Sequence, residues 1–241
     1  ILKAIATSSL SRNITIKGGV VMRSKTRNIR RATQDLDIDF IRLSLSNEAI
    51  DTFISKLNCL DGITLKRYGE IEELKQQDYK GKRVFIQLQD DAGNMIVNKL
   101  DIGVHTHLNL EQEEYCFDIA FDEEGASVLI NTNEQMFAEK LQSLLRLGTI
   151  STRYKDIFDM YYLSQHVDSY ALCRCLDTCV FSDSRMRENN LQEILVRLEF
   201  TFQNKNYLKR VDRAKTKWID LEIDTVVEGI KSVLEKCKQI E

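Results

Sequence analysis

Lys17-Gly18-Gly19 and, beyond a strongly basic segment, Asp35-Leu36-Asp37-Ile38-Asp39-Phe40 form the stretch that decides how this chain is read. Acid and apolar residues alternate from Asp35 to Phe40 with a period of two, which predicts a strand with one apolar face and one carboxylate face. Residues two apart on a strand are about 7 Å apart at their Cα atoms, so two neighbouring carboxylates can close on one hard cation. The glycine pair ahead of them reads as a turn whose backbone amides can hold phosphate oxygens. A phosphate cradle beside a carboxylate pair implies nucleotidyl-transfer chemistry, which needs neutralised triphosphate charge and an attacking hydroxyl held in line. The residues alone leave the phase open. Either Asp35 with Asp37, or Asp37 with Asp39, forms the pair, and Asp37 is common to both.

Working outward, strand-like segments are expected at 13–17, 35–43, 63–68, 83–89, 95–104, 115–121 and 128–130. Gly62, Gly81, Gly93 and Gly125 read as turn residues between them. Ser46 reads as the N-cap of a helix to about Asn58, whose Ile50, Phe53, Ile54 and Leu57 make an i, i+3, i+4, i+7 stripe. A third carboxylate is expected on a neighbouring strand, and Asp101, within Lys99-Leu100-Asp101-Ile102-Gly103, fits. Asp35, Asp37 and Asp101 would then be the protein ligands of Mg²⁺, with substrate phosphates and water completing its octahedron. Without a metal, a buried acidic triplet suffers repulsion and desolvation. The ordinary alternative is a set of edge-strand aspartates facing water.

After Asn131 the pattern turns helical, with helices expected over 133–147, 152–166, 168–180, 188–203, 205–219 and 224–239. The fold class is therefore α+β, a mixed β-sheet with flanking helices over 1–131 followed by an α-helical domain over 132–241. In the helix from 133, Phe137, Leu141, Leu144 and Leu145 form the apolar face and Lys140 lies at its edge, about 40° beyond Leu144. Asp156 has the same relation to Met160 in the next helix, so both can project past the core into a shared cleft. The plainer readings are a snorkelling lysine and an Arg153–Asp156 pair at i, i+3.

The chain has 241 residues, 43% hydrophobic and 29% charged, and a net charge of −3. That sum hides an asymmetry: residues 1–34 carry eight Lys/Arg and no Asp or Glu. A cationic field next to a carboxylate cluster suits a polyanion. A second basic run, Lys205, Lys209, Arg210, Arg213, Lys215 and Lys217, contains Tyr207 and Trp218 and could follow a nucleic-acid backbone or simply be a solvated helix face. No apolar run approaches the roughly 20 residues of a membrane span, so no membrane role and a soluble, cytoplasmic protein are expected. The six cysteines form no C-x-x-C pair and read as reduced core thiols. His105 and His107 lack a third nitrogen or sulfur ligand and carry little weight as a metal site.

Gly18-Gly19, then Arg31-x-Thr33-x-Asp35-Leu36-Asp37, then a lone strand aspartate at Asp101 resembles the nucleotidyltransferase superfamily related to DNA polymerase β. Glu134-x-x-x-Ala138-x-Lys140-Leu141 followed by Arg153-x-Lys155-Asp156-Ile157-x-Asp159-Met160-Tyr161 resembles its AbiEii/AbiGii branch, the toxins of type IV toxin–antitoxin systems. The resemblance spans about residues 14–165 and implies Asp35 and Asp37 as the metal pair, leaving Asp39 as an extra. It implies catalytic roles for Asp35, Asp37, Asp101, Lys140 and Asp156. It also implies nucleotide binding by Gly18, Gly19, Arg31, Thr33, Lys140 and Arg153, with Asp159 in support. Mg²⁺, with Mn²⁺ as a substitute, is the implied cofactor and an NTP, lying between the two domains, the implied substrate. The implied acceptor is RNA, a tRNA 3′ end, and the outcome growth arrest or phage defence. A separately encoded antitoxin is the implied partner, with direct contact left open. Val20 departs from relatives that carry a small hydroxyl residue there, which leaves the phosphate to backbone amides. Two competitors stand beside this reading: a small-molecule nucleotidyltransferase of the aminoglycoside-modifying kind, and a catalytically silent nucleotide- or RNA-binding protein.

Overall fold

The structure, a computed structural model, describes residues 1–74 and 81–239. The chain divides into two compact units, Ile1–Asn131 and Thr132–Glu241.

The first unit runs α1 (Leu2–Thr7), β1 (Ile14–Lys17), α2 (Gly18–Thr26), β2 (Asp35–Phe40), α3 (Asn47–Lys56), β3 (Ile63–Leu74), β4 (Gly81–Asp90), β5 (Met95–Val104), β6 (Gln112–Ile119) and β7 (Asp122–Asn131). Its strands form one mixed sheet in the order β3-β4-β5-β2-β1-β7-β6. The pairs β2/β5 and β1/β7 are parallel and the others antiparallel. Alternation along β2 sends Leu36, Ile38 and Phe40 to the buried face, and the register sets them opposite Leu100, Ile102 and Val104 of β5. Ile14 and Ile16 of β1 continue these rows across Phe40 and Ile38. Sliding β2 by one residue would put three aspartates into that core, so burial fixes the register. Ser46 caps α3 as expected, accepting from the Ala49 amide, and Phe53 meets Phe40 edge-on at 5.2 Å between ring centroids.

Several expectations need correction. The glycine pair is not a free turn: Gly18 and Gly19 open α2, a helix missed because two glycines are poor helix formers and its apolar periodicity is weak. The six-residue α1 was missed too, having neither a side-chain cap nor the length to show a period. Gly81 begins β4, and Gly125 sits inside β7 with φ of 67° rather than in a connecting turn. Strands β3, β6 and β7 are longer than their apolar cores suggested, because hairpin pairing carries polar residues into the ladder.

The second unit is helical, with α4 (Asn133–Leu147), α5 (Tyr154–Ser164), α6 (Ser169–Leu176), α7 (Leu191–Gln203), α8 (Lys205–Asp212) and α9 (Ile223–Lys238). A 3₁₀ turn, Gly148–Ile150, follows α4, and a π-helical turn, Asp177–Phe181, extends α6. Thr132, Asp168, Asn190 and Asn204 cap α4, α6, α7 and α8 through their side chains. Phe137, Leu141, Leu144 and Leu145 of α4 are buried as the periodicity required. Gly229 lets α9 approach α5, since a β-carbon there would meet the Tyr161 ring at 2.6 Å. The helix expected over 205–219 stops at Asp212, so Trp218 lies in the connection to α9. Of the cysteines, Cys175, Cys179 and Cys237 are core thiols, but Cys59 and Cys116 are exposed. No described helix is long and apolar enough to cross a membrane.

Candidate active site

The acids of β2 share one face of the sheet, and the register builds a charged row across four strands: Lys17 of β1 opposite Asp37 of β2, Asp37 opposite Asp101 of β5, and Asp101 opposite Arg83 of β4. Arg83 grips both oxygens of Asp101 as a fork, Nε to Oδ1 and Nη2 to Oδ2 each at 2.8 Å. Asp101 itself is only 4% exposed. One register step away, Lys99 Nζ lies 2.6 Å from Asp35 Oδ1, an ion pair outside hydrogen-bond geometry. Lys17 reaches diagonally to Asp39 Oδ2 at 2.7 Å, and the other Asp39 oxygen is buried with no hydrogen-bond partner.

Asp37 lies at the centre of this row. Burial pushes its carboxyl up to about 6; Lys17 and the Gly19 amide, which donates to it, oppose the shift, and the charges of Asp101 and Asp35 add to it. The glycines are tied to the same place. Gly18 has φ of 69°, and a β-carbon on it would collide with the Asp37 carboxylate; one on Gly19 would collide with the Thr33 hydroxyl. The amide expected to cradle phosphate thus holds an aspartate. Arg31 is 3% exposed, a buried side chain rather than an open contact, and Thr33 packs against Gly19. His105 Nε2 is engaged by Gln112 at 2.8 Å.

Among the described residues no three of His, Cys, Asp or Glu converge closely enough to hold a metal as they stand. The reason is visible in the ion pairs: Asp35, Asp39 and Asp101 are each drawn to a strand cation. The donor set nevertheless fits a hard divalent cation, since carboxylate oxygens are what Mg²⁺ and Mn²⁺ prefer. Asp37 faces Asp101 directly, and Asp35 is the more accessible of its two neighbours on β2, whereas Asp39 is buried against Lys17.

In the helical unit, the edge positions of Lys140 and Asp156 do bring them together. Lys140 Nζ lies 2.7 Å from Asp156 Oδ1 and 2.9 Å from Asp159 Oδ2. Arg153 stands 3.6 Å from Asp156 and donates to the Ser143 hydroxyl at 3.0 Å. Asp159 is fully buried, and its second oxygen accepts from the Trp218 indole at 3.0 Å.

Four of the eight cations of residues 1–34 are paired in space. Lys3 pairs with Asp122, Arg12 with Glu114, Lys17 with Asp39 and Lys25 with Glu113, and Arg31 is buried. The second basic run keeps its charge at the surface, with Lys205, Lys209, Arg210, Arg213 and Lys215 exposed and Lys217 tied to Asp212 at 2.6 Å.

A family model described as nucleotidyl transferase AbiEii toxin, type IV TA system, matches residues 1–227 of the 241. The chain belongs to this family. It is a nucleotidyltransferase, a toxin of a type IV toxin–antitoxin system, and membership implies a nucleotide substrate and a separate antitoxin. The match takes in both the carboxylate row and the Lys140 cluster, and it reaches Trp218, beyond the segment from which the resemblance was read. A comparison with curated proteins gives no match. Four residues that partner these acids were given no site role in the sequence: Lys17, Arg83 and Lys99 on the sheet, and Trp218 in the helical unit. Lys99 and Lys17 could have been found from their even spacing to Asp101 and Thr15 once the strands were paired. Arg83 and Trp218 carry no local signal.

Proposed function

We propose that this toxin transfers a nucleoside monophosphate from an NTP to an RNA acceptor, a tRNA 3′ end, with Mg²⁺ or Mn²⁺ held by Asp35, Asp37 and Asp101. The observation that carries the reading is the in-register pairing of Asp37 with Asp101 on adjacent parallel strands, beside the glycines that open α2. Bound there, the metal would neutralise triphosphate charge and polarise the reacting oxygens. The acceptor hydroxyl forms a bond to the α-phosphorus, the bond to the bridging oxygen breaks, and pyrophosphate leaves. Asp101 takes the hydroxyl proton once Arg83 yields one of its oxygens. Lys140, steadied by Asp156, binds the β- and γ-phosphates, with Arg153 alongside. Gly18 and Gly19 give the site its closeness, and Arg31 and Thr33 support the β2 approach from within the fold.

The exposed cations of 205–215 support a polyanionic acceptor over a cationic small molecule, which would favour an acidic surface. The test is incubation with Mg²⁺, each α-labelled NTP in turn and total tRNA, with Asp35→Ala/Asp37→Ala protein as control. Label on tRNA with one NTP, absent with the folded double variant, is the expected result. Labelling that persists in the double variant overturns the site. No label with any NTP turns the reading toward a small-molecule acceptor or a silent binder.

A further inference from the structure

We infer that Trp218 is a positioning residue for the phosphate-binding lysine, acting through Asp159. Lys140 is the side chain to which the proposed reaction gives the β- and γ-phosphates, and the inference rests on that reading. Its ammonium lies between Asp156 and Asp159, but the two carboxylates differ. The Asp156 side chain is 20% exposed; Asp159 is fully buried and holds Lys140 through Oδ2 at 2.9 Å. The other oxygen, Oδ1, is taken by the Trp218 indole N–H at 3.0 Å. An indole nitrogen only donates, so this bond is satisfied by a carboxylate and fixes the plane of the Asp159 group. With one oxygen pinned, the other can face Lys140 in one orientation, and the position of the ammonium follows.

Trp218 is itself well anchored. It is 3% exposed, its ring centroid lies 6.1 Å from that of Tyr162, one turn beyond Asp159 on α5, and the side chain of its neighbour Lys217 pairs with the Asp212 carboxylate. The chain leaves α8 at Asp212 and must travel six residues outside a helix to bring Trp218 here. Any buried indole N–H needs an acceptor; here the acceptor is the carboxylate that also holds Lys140, which links the two side chains.

Trp218 is also the only tryptophan in the chain, so its emission reports on this contact directly. The probe is inorganic tripolyphosphate with Mg²⁺, which has no base to absorb the exciting light. In the wild-type protein, saturation with this probe should shift or quench the Trp218 emission as Lys140 is drawn onto phosphate, and Lys140→Met should abolish the change. Trp218→Phe keeps a ring and removes the donor; it should raise KM for the NTP about tenfold with a smaller change in kcat. Unchanged wild-type emission at a concentration that calorimetry shows to be saturating overturns the inference, and this measurement needs no variant to fold. Normal KM in folded Trp218→Phe protein overturns it as well. If Lys140→Met binds tripolyphosphate as tightly as wild type, the failure lies in the role given to Lys140; if that variant loses binding while Trp218→Phe keeps it, the failure lies in the role given to Trp218 alone.

Discussion

On the sheet, Asp35, Asp39 and Asp101 each meet one cation from a strand, Lys99, Lys17 and Arg83; in the helical unit one ammonium, Lys140, meets two carboxylates, Asp156 and Asp159. Charge is compensated in both places, but by different means. On the sheet every partner comes from the cross-strand ladder, and Asp37 lies between Asp101 on one side and Lys17, which also pairs with Asp39, on the other. In the helical unit the partners come from α4, α5 and the connection before α9, and one of the two carboxylates, Asp159, is fully buried. The sheet is therefore a set of acids each matched to a strand cation, and the helical cluster is one cation held by two acids. The difference suits the division proposed for the reaction, in which the sheet receives a metal and the lysine receives phosphate.

The largest expected effect tests whether the sheet pairs are real compensation. Arg83→Gln leaves the nearly buried Asp101 carboxylate without its fork, and removing one partner of a buried pair is costly; we expect a loss of about 2–3 kcal/mol in metal-free buffer by chemical denaturation. Because that carboxylate then lacks a cation, Mn²⁺ should restore more stability to the variant than it adds to wild type. Equal metal-dependent gains in both proteins would mean that Arg83 does not compete with metal for Asp101.

Asp37 gives a second, pH-dependent test. Its carboxyl titrates at about 6 in the folded protein, against about 3.9 for an unfolded aspartate. A raised carboxyl value means that the folded state binds more protons between those two pH values. Asp37 therefore reduces stability above about pH 6, and the penalty fades as pH falls toward 4. Without metal, Asp37→Asn should be more stable than wild type by about 2 kcal/mol at pH 8 and similar to it at pH 4. A stability difference that does not change with pH would remove Asp37 from the centre of the repulsion.

The same comparison explains what the sequence made legible. Asp35, Asp37 and Asp39 announce their strand and their shared face by alternation, and Asp101 announces itself as an isolated acid in an apolar strand; local periodicity suffices for both. The partners of these acids are set by register, which no single strand encodes, so Arg83 could be found only by pairing β4 with β5. The partners of Lys3, Arg12 and Lys25 were hidden for the same reason, because Asp122, Glu114 and Glu113 come from β7 and β6, far along the chain. Lys140 and Asp156 were readable from the edges of their helices. Trp218 was hidden inside a basic run that reads as continuous helix, and only the stop at Asp212 turns its indole toward Asp159.

The smallest effect is expected at Lys99, and it sharpens the comparison within the sheet itself. The side chains of Lys99 and Asp35 are 27% and 35% exposed, much more open than Asp101, and their contact lacks hydrogen-bond geometry. An ion pair this close to solvent is screened and contributes little, so Lys99→Gln should change stability by no more than about 0.5 kcal/mol, with the difference shrinking further at high salt. If burial grades the pairs, the order of cost is Arg83→Gln well above Lys99→Gln. A Lys99→Gln variant as unstable as Arg83→Gln would show that the row behaves as one coupled charge network, in which removing any cation unbalances Asp37 and both of its neighbours, rather than as separate pairs ranked by exposure.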